Sequence, residues 1–256
     1  MIFNTHTHLN DRRFNDNYDQ VIKDSFSNGV TKMIIVGYDV KSSKKAIEIA
    51  DKYEGVYASV GIHPVDSKDA SNESFVEIEK LITHPKVVGI GECGLDYHWD
   101  TDRELQFKAF VKQIDLAKKY NKPLIIHSRD ALKETYDILH DNNAGEIGGV
   151  MHCYSGSAQM VESFLNMNFY ISLGGPVTFK NAKVPKEVAK IVPSDKLLVE
   201  TDCPYLAPEP FRGKENKPYY VTYILSEIAK LREVNTEELN NDTYSNAMRL
   251  FRIGDE

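Results

Sequence analysis

The sequence has little of what marks a secreted or membrane protein. Its three cysteines cannot form a complete set of disulfides, which fits a reducing compartment. No apolar run approaches the roughly 18 residues that a membrane helix needs. The N-terminal segment MIFNTHTHLN has neither a basic region nor an apolar signal core. We therefore expect a cytoplasmic protein with no membrane contact. The sequence predicts no protein partner and leaves the oligomeric state open.

Positive charge is also scarce. The chain has 31 lysines and arginines against 38 aspartates and glutamates, a net charge of −7, which argues against a broadly basic surface for nucleic acid. A nucleic-acid substrate remains compatible with this charge, because bound divalent cations supply local positive charge. The hydrophobic content of 41% and the charged content of 27% are those of an ordinary globular protein.

Eight short apolar runs alternate with longer amphipathic segments along the chain, and eight is the number of strands in a closed β/α barrel. No linker, repeat or break in composition interrupts the pattern, which favours one domain over residues 1–256. The sequence thus predicts a single-domain TIM-type (β/α)8 barrel of the α/β class. The predicted strands are Ile2–Thr5, Lys32–Val36, Val56–Ile62, Val87–Gly91, Pro123–His127, Gly149–His152, Phe169–Leu173 and Lys196–Glu200.

The intervening segments are predicted to be helices. The clearest is Asp102–Tyr120, whose apolar residues recur at helical spacing. Thr101 with Glu104 three residues later forms a capping-box signature at its start. Two more helices are expected near the end of the chain, at Pro218–Arg232 and Glu237–Phe251, the second entered through Asn235.

Six possible metal ligands stand where the apolar runs stop. A β/α barrel forms its active site at the carboxyl ends of its strands, so acid and imidazole side chains recurring there indicate a metal site. Any one of these histidines alone is more often a surface or hydrogen-bonded core residue. The six are His6, His8, Glu92, His127, His152 and Asp202.

The spacing and chemistry of these residues suggest two cation sites. His6 and His8 are two apart in a strand, so both imidazoles project from one face. Glu92 has two carboxylate oxygens and is the natural bridge between two ions, although a buried salt bridge to Arg129 is the alternative. Asp202 is expected to bind the first ion and to orient or deprotonate water, which makes Asp202 and Glu92 the catalytic candidates.

His127 and His152 are expected to bind the second ion together with the bridging carboxylate. Glu200 is expected to support the site rather than bind a metal. Four imidazoles and two carboxylates without a thiolate suit Zn, Mn, Fe, Co or Ni, and Mg remains possible. Two divalent ions fit in-line attack on a phosphodiester, one ion on each of the two reacting oxygens.

Four further residues are candidate substrate contacts. His63 could hold a phosphate oxygen, or it could be a turn histidine fixed by Pro64. Phosphate binding and a structural salt bridge are equally compatible with Arg129. Arg212 and Lys214 lie in the segment FRGKENKPYY, where cations beside aromatic rings suit single-stranded nucleic acid, with a solvated loop as the alternative.

Each cysteine directly follows a proposed ligand: Cys93, Cys153 and Cys203. Successive side chains of a strand point to opposite faces, so these thiols are expected to face the surrounding helices as small buried apolar groups. Redox sensing or metal ligation is the alternative.

The strings THTHL, GIHP, GECGLDYH, IIHSRDA, HCYSG, TDCPYL, FRGKENKP and NAMRLF occur in this order along nearly the whole chain. In this combination the sequence resembles the TatD family of metal-dependent hydrolases. The resemblance implies a barrel of the amidohydrolase class and a divalent-metal-dependent deoxyribonuclease, often a 3′-5′ exonuclease on single-stranded DNA.

The same resemblance implies the division of the ligands. His6, His8, Glu92 and Asp202 would hold one metal, and Glu92, His127 and His152 would hold the other. Similar barrels in the wider group act on esters, lactones or aminoacyl-tRNA. A metal-dependent esterase or aminoacyl-tRNA deacylase is therefore the alternative function.

Overall fold

Eight parallel strands form one sheet in which every strand pairs with its neighbours in chain order. The computed structural model describes residues 1–254. This order confirms the predicted barrel. The strands are β1 Ile2–Thr7, β2 Val30–Val36, β3 Val56–Val60, β4 Val87–Asp96, β5 Leu124–Arg129, β6 Gly149–Met151, β7 Phe169–Leu173 and β8 Leu197–Val199.

Helices alternate with these strands, and two follow the last one. They are α1 Tyr18–Ser27, α2 Val40–Ala50, α3 Asn72–Ile82, α4 Arg103–Tyr120, α5 Leu132–Asp141, α6 Ala158–Asn166, α7 Lys183–Ile191, α8 Val221–Arg232 and α9 Thr236–Phe251. The predicted cap of α4 is wrong, because Asp102 rather than Thr101 accepts the first free N–H groups, those of Glu104 and Leu105. The predicted Asn235 cap of α9 is confirmed.

Hydrogen bonds between β1 and the segment after β8 close the barrel. The backbone N–H of His8 donates to the carbonyl of Cys203 at 2.8 Å, and the N–H of Asp202 donates to the carbonyl of His6 at 3.0 Å. The Asn4 amide also donates to the Thr201 hydroxyl at 2.8 Å. Closure therefore fixes the first and last predicted metal ligands relative to each other.

Two hydrophobic clusters stabilise the fold. The larger lies between the barrel and its helices, and the smaller fills the barrel interior. Residues of α9, namely Ala247, Leu250 and Phe251, close the interior cluster at the amino ends of the strands. The strand residues of this interior cluster are Phe3, Ile34, Val36, Val88, Ile125, Val150, Tyr170 and Leu198. Within residues 1–254, no helix is long and apolar enough to cross a membrane.

Candidate metal centre

Alternation along β5 and β8 brings polar side chains into the barrel at its carboxyl end. In β5, Ile125 belongs to the interior cluster, and His127 two residues later contacts Glu92. In β8 and the segment after it, Leu198 belongs to the same cluster and Glu200 follows it with the same spacing. Because side chains two residues apart share a face, one face carries apolar groups at the amino end and polar groups at the carboxyl end.

Three strands extend further at their carboxyl ends than the apolar runs predict. β1 continues to Thr7, β4 to Asp96 and β5 to Arg129, so His6, Glu92 and His127 lie within strands rather than at or beyond their ends. The predicted ends were wrong because the side chains around the cavity are polar, although the backbone pairing continues beneath them. Ligand positions relative to the sheet edge therefore cannot be taken from hydrophobicity alone.

Glu92 lies at the centre of the cluster, and its two oxygens face different imidazoles. Oε1 is 2.8 Å from Nδ1 of His127 and 2.9 Å from Nε2 of His152. Oε2 is 3.4 Å from Nε2 of His8 and 3.5 Å from Nε2 of His6. One carboxylate thus separates two pairs of nitrogen ligands, the arrangement that a bridging ligand requires.

Asp202 lies on the Oε2 side of this arrangement. Its Oδ1 is 3.3 Å from Nε2 of His8 and 3.7 Å from Nε2 of His6. The two imidazole nitrogens are themselves 3.1 Å apart. Zinc–nitrogen bonds are about 2.0–2.1 Å long, so nitrogens at this separation are spaced as two ligands of one ion.

Three of the four imidazoles are held by a second contact through the nitrogen that points away from the centre. Nδ1 of His8 lies 3.1 Å from the Val36 carbonyl. Nε2 of His127 lies 2.9 Å from Oδ2 of Asp96. Such contacts select the tautomer and orientation of a metal-binding imidazole.

The third held imidazole is His152, whose Nδ1 lies 3.0 Å from Oε1 of Glu200, which agrees with the supporting role expected for this carboxylate. Asp96 is buried and binds His127, a contact that the sequence did not predict. It stands four residues after Glu92, an even spacing that would place both side chains on one face of a long strand.

A close approach of β4 to β5 makes the Asp96 contact possible. Gly94 pairs with His127 across the two strands, and Asp96 pairs with Arg129. Gly94 has a φ of 138°, and a Cβ at this position would lie 2.0 Å from the His127 carbonyl oxygen. Only glycine fits here, since any side chain would push the two strands apart.

Burial opposes charge throughout the cluster, and the contacts decide which imidazoles keep a proton. Burial lowers the pKa of His8, but hydrogen bonds with Asp202 and Glu92 outweigh it and raise the pKa to about 10. Burial likewise opposes the charge of His152, whereas Glu92 and Glu200 raise its pKa well above the usual value.

The two carboxylates behave in the opposite way. Burial alone would raise the pKa of Glu92, but the charge of His152 and hydrogen bonds from neighbouring imidazoles hold it well below its usual value. The pKa of Asp202 is lowered against burial by its hydrogen bond with His8. Without metal, protons on His8 and His152, whose pKa values are raised, balance these carboxylates, so the cluster is suited to cations that would replace the protons.

The donor set therefore fits divalent metal. Groups of potential ligands whose donor atoms lie within 4.8 Å of one another overlap across the cluster. They are His6 with His8 and Glu92; His6 with His152 and Asp202; and His63 with Glu92 and His127. The second and third groups differ from the division implied by the family resemblance, because His152 lies between both halves and His63 joins one of them.

His63 lies beside the centre, and both predicted roles agree with its contacts. Its Nδ1 accepts from the Val65 backbone N–H at 3.1 Å at the start of a short 3-10 turn. This leaves the proton on Nε2, which lies 3.5 Å from Oε1 of Glu92. The turn thus aims an N–H donor at the centre.

Arg129 is exposed and lines the cavity above the centre. Among the ion pairs formed within residues 1–254, none involves this guanidinium, and Glu92 pairs with imidazoles instead. The structural salt bridge considered for Glu92 and Arg129 is therefore wrong, and the cation remains free to meet a ligand.

Arg212 and Lys214 are exposed but are not part of the cavity wall. The Arg212 guanidinium lies over the Phe179 ring, 4.3 Å from its centroid. The neighbouring rings of Phe211 and Tyr220 stack on each other with centroids 4.1 Å apart. Each of these two rings therefore has one face covered by the other, and the contact of this segment with nucleic acid stays a prediction.

The prediction for the cysteines is correct at two positions and wrong at the third. Cys93 and Cys203 are fully buried, whereas Cys153 is partly buried and lines the cavity. Cys153 follows β6 with a φ of 40°, so the alternation of a regular strand no longer governs its direction. Its thiol thus lies on the same side as His152.

The cavity over the centre has a volume of about 770 Å³, within the range of small-molecule sites. Charged groups of the centre form its floor. Its upper wall includes Trp99, Tyr205 and Leu206, all exposed despite their size. The cavity therefore combines a polar floor with an apolar and aromatic rim.

Comparison with known proteins agrees with this geometry. The family described as TatD related DNase matches residues 3–252. The chain belongs to this family. It is 48% identical over 254 residues to the uncharacterized metal-dependent hydrolase YabD of Bacillus subtilis, covering 99% of this chain and 100% of that protein.

Two other relatives of this TatD family member are informative. A Salmonella typhimurium protein named 3'-5' ssDNA/RNA exonuclease TatD is 33% identical over 260 residues, covering 98% of this chain and 99% of its own. The crystal structure of YJJV, a TatD homolog from Escherichia coli K12, superposes with a TM-score of 0.94 at 28% identity, covering 99% and 98% of the two chains. The protein is a metal-dependent hydrolase.

Proposed function

We propose that this protein is a divalent-metal-dependent nuclease that shortens single-stranded DNA from its 3′ end. The observation that carries the proposal is the division of the Glu92 oxygens, Oε1 toward His127 and His152 and Oε2 toward the remaining ligands. A carboxylate placed between two nitrogen pairs suits a two-metal site, which fits displacement at phosphorus. The Salmonella typhimurium relative named 3'-5' ssDNA/RNA exonuclease TatD supports this substrate class.

In this proposal His6, His8, Glu92 and Asp202 would hold one ion, and Glu92, His127 and His152 would hold the other. Bound divalent ions supply positive charge that activates water and stabilises negative charge on the phosphoryl and leaving oxygens. Mg, Mn and Zn are the candidate ions.

The remaining steps depend on the protein's own groups. Asp202 directs Oδ1 toward His6 and His8, which leaves its second oxygen to accept the proton of the attacking water. The Nε2–H of His63, which lies beside Oε1 of Glu92, and the guanidinium of Arg129 in the cavity wall would hold the nonbridging phosphate oxygens.

The test is a nuclease assay on end-labelled single-stranded DNA with Mg²⁺ or Mn²⁺, repeated with chelator and with Glu92→Gln. We expect metal-dependent, stepwise shortening from the 3′ end that the chelator and the variant both abolish. Glu187→Gln, an exposed carboxylate on α7 outside the cavity wall, is the matched control and should cleave normally.

Metal-loaded protein that leaves DNA intact but hydrolyses aminoacyl-tRNA or simple carboxylic esters would contradict the nuclease proposal. It would assign the same centre to the esterase or deacylase alternative. Shortening from the 5′ end would retain the substrate and overturn the proposed direction.

A further inference from the structure

Two large aromatic side chains remain exposed at the mouth of the cavity. Trp99 is 55% exposed and Tyr205 is 46% exposed, and both line the cavity wall. Trp99 is the chain's single tryptophan. Large rings are usually buried in folded proteins, so two such rings exposed at the mouth of one functional cavity indicate a binding surface.

The two rings follow residues that lie on opposite sides of Glu92. Trp99 follows Asp96 by three residues, and Asp96 binds His127, which contacts Oε1 of Glu92. Tyr205 lies three residues after Asp202, on the side of the Oε2 oxygen. A substrate whose scissile phosphate lies over Glu92 would therefore have one ring on each side of it.

The tyrosine is held in place by its neighbours. Its hydroxyl donates to Oδ2 of Asp11 at 3.2 Å, and its ring lies edge-on to His8 at a centroid distance of 6.1 Å. The Arg13 guanidinium lies over one face of the ring, 4.2 Å from its centroid, and is itself paired with Asp11. These contacts fix the ring direction, and a stacked base would take the opposite face.

Trp99 is less constrained. Its ring meets the His98 imidazole edge-on, with centroids 5.1 Å apart and an interplanar angle of 87°. An edge-on contact leaves a face of the indole available. Stacking on an aromatic face is the main sequence-independent way in which proteins bind unpaired bases.

We infer that Trp99 and Tyr205 stack on the bases of the two nucleotides that flank the scissile phosphate, and so select unpaired over paired DNA. The inference rests on the proposed nuclease function and deepens it. The faces of a base in a duplex are covered by neighbouring pairs, so a base must leave the stack before an aromatic side chain can cover it. A single strand makes both bases available at lower cost.

The single tryptophan allows a direct binding measurement on the metal-loaded enzyme. The probe is a short single-stranded oligonucleotide with phosphorothioates at its terminal linkages, which slow cleavage. We expect it to quench Trp99 emission, and the same oligonucleotide with abasic terminal nucleotides to leave the emission unchanged. Equal quenching by both oligonucleotides, or no quenching by either, would overturn the stacking of bases on Trp99.

Kinetics provide the second measurement. Trp99→Leu should raise the KM for single-stranded DNA about tenfold at unchanged kcat, the size expected for loss of one stacked base. Trp99→Phe should retain most of the affinity, and the Leu variant should match the wild type on the abasic substrate. Phe107→Leu, which changes a 44% exposed ring on α4 away from the cavity wall, is the matched control.

Tyr205 is tested in the same way, with Phe as the conservative replacement. Tyr205→Leu should raise KM for the intact oligonucleotide more than for the abasic one, and Tyr205→Phe should restore most of the difference. A KM increase of equal size on both substrates would assign Tyr205 to support of His8 and overturn its role in stacking.

The outcomes separate this inference from the proposed function. Base-dependent quenching without any DNA cleavage would contradict the nuclease proposal and retain the rings as a nucleotide-binding surface. Normal cleavage with a KM that does not respond to Trp99→Leu would retain the nuclease proposal and overturn the inference. Absence of both quenching and cleavage would overturn both.

Discussion

The two ends of the barrel differ although the same strands form both. At the amino end, the interior is apolar and the last helix closes it, with Phe251 against Phe3 at a ring-centroid distance of 6.3 Å. At the carboxyl end, the interior is a cluster of imidazoles and carboxylates beneath an open cavity. Within one strand, the interior changes from apolar to polar between two successive inward-facing residues. In β5 these residues are Ile125 and His127.

This division separates stability from chemistry. Buried apolar groups stabilise the fold through area removed from water, whereas buried charges need partners or metal. Changes at the carboxyl end should therefore alter catalysis more than the free energy of unfolding. Changes at the amino end should do the reverse.

The largest expected effect is that of Asp202→Asn at the carboxyl end. The amide retains the volume but cannot accept a proton, so kcat should fall by about 10²–10⁴-fold, the usual contribution of a general base. Metal content and affinity for single-stranded DNA should fall much less, as measured by metal analysis and by binding to an uncleavable oligonucleotide. Equal losses of metal, DNA affinity and turnover would make Asp202 mainly a structural ligand.

The reciprocal change is Phe251→Ala at the amino end. The ring is 3% exposed, so its removal should lower the free energy of unfolding by about 3–5 kcal/mol, as measured by denaturant titration. Turnover per folded molecule should be unchanged below the transition. Phe107→Ala, at an exposed position on α4, should change stability by less than about 0.5 kcal/mol. A large drop in turnover of still-folded Phe251→Ala protein would show that the two ends are coupled.

A smaller effect is expected for Glu200→Gln. Glu200 does not reach Glu92 in the described contacts and acts through Nδ1 of His152. Replacing its charge should weaken metal binding by about 10–100-fold, measured by competition with a chelating indicator, and excess metal should restore turnover. Failure of excess metal to restore activity would mean that Glu200 takes part in the reaction itself.

The sequence predicted the repeating part of the fold better than the contacts between its strands. Apolar runs located eight strands, and the residue types where these runs stop located the six residues that cluster in the cavity, because both are local properties of the chain. The Asp96 contact depends on the register of β4 against β5 and on the close approach at Gly94. Those are properties of two strands together, which neither strand shows alone.

Loop positions were equally hard to predict. The segment that contains Arg212 and Lys214 has a composition suited to nucleic acid, but its rings stack on each other. The rim residue Trp99 stands in a short segment with no periodic pattern. Trp99 lies in the cavity wall because β4 continues to Asp96. The apolar run predicts that this strand ends five residues earlier, at Gly91.

The last expected effect concerns pH, and it again contrasts the two ends because the titrating groups that would compete with metal lie at the carboxyl end. Hydrogen bonds with Asp202 and Glu92, acting against burial, raise the pKa of His8 to about 10 in the metal-free protein. Below this pKa the imidazole is protonated and must lose its proton to bind metal, so metal affinity should rise with pH. The carboxylates of Glu92 and Asp202, whose pKa values are lowered, stay charged near neutrality. They therefore do not contribute to the pH dependence of metal affinity.

We expect about a tenfold gain in metal affinity per pH unit for each proton released between pH 6 and 8. Calorimetric titration in buffers of different ionisation enthalpy would count these protons. Asp202→Asn should reduce the count, because it removes a hydrogen-bonding carboxylate that keeps His8 protonated. An affinity independent of pH over this interval would show that the imidazoles are already neutral, and that the carboxylates of the free centre are balanced in some other way.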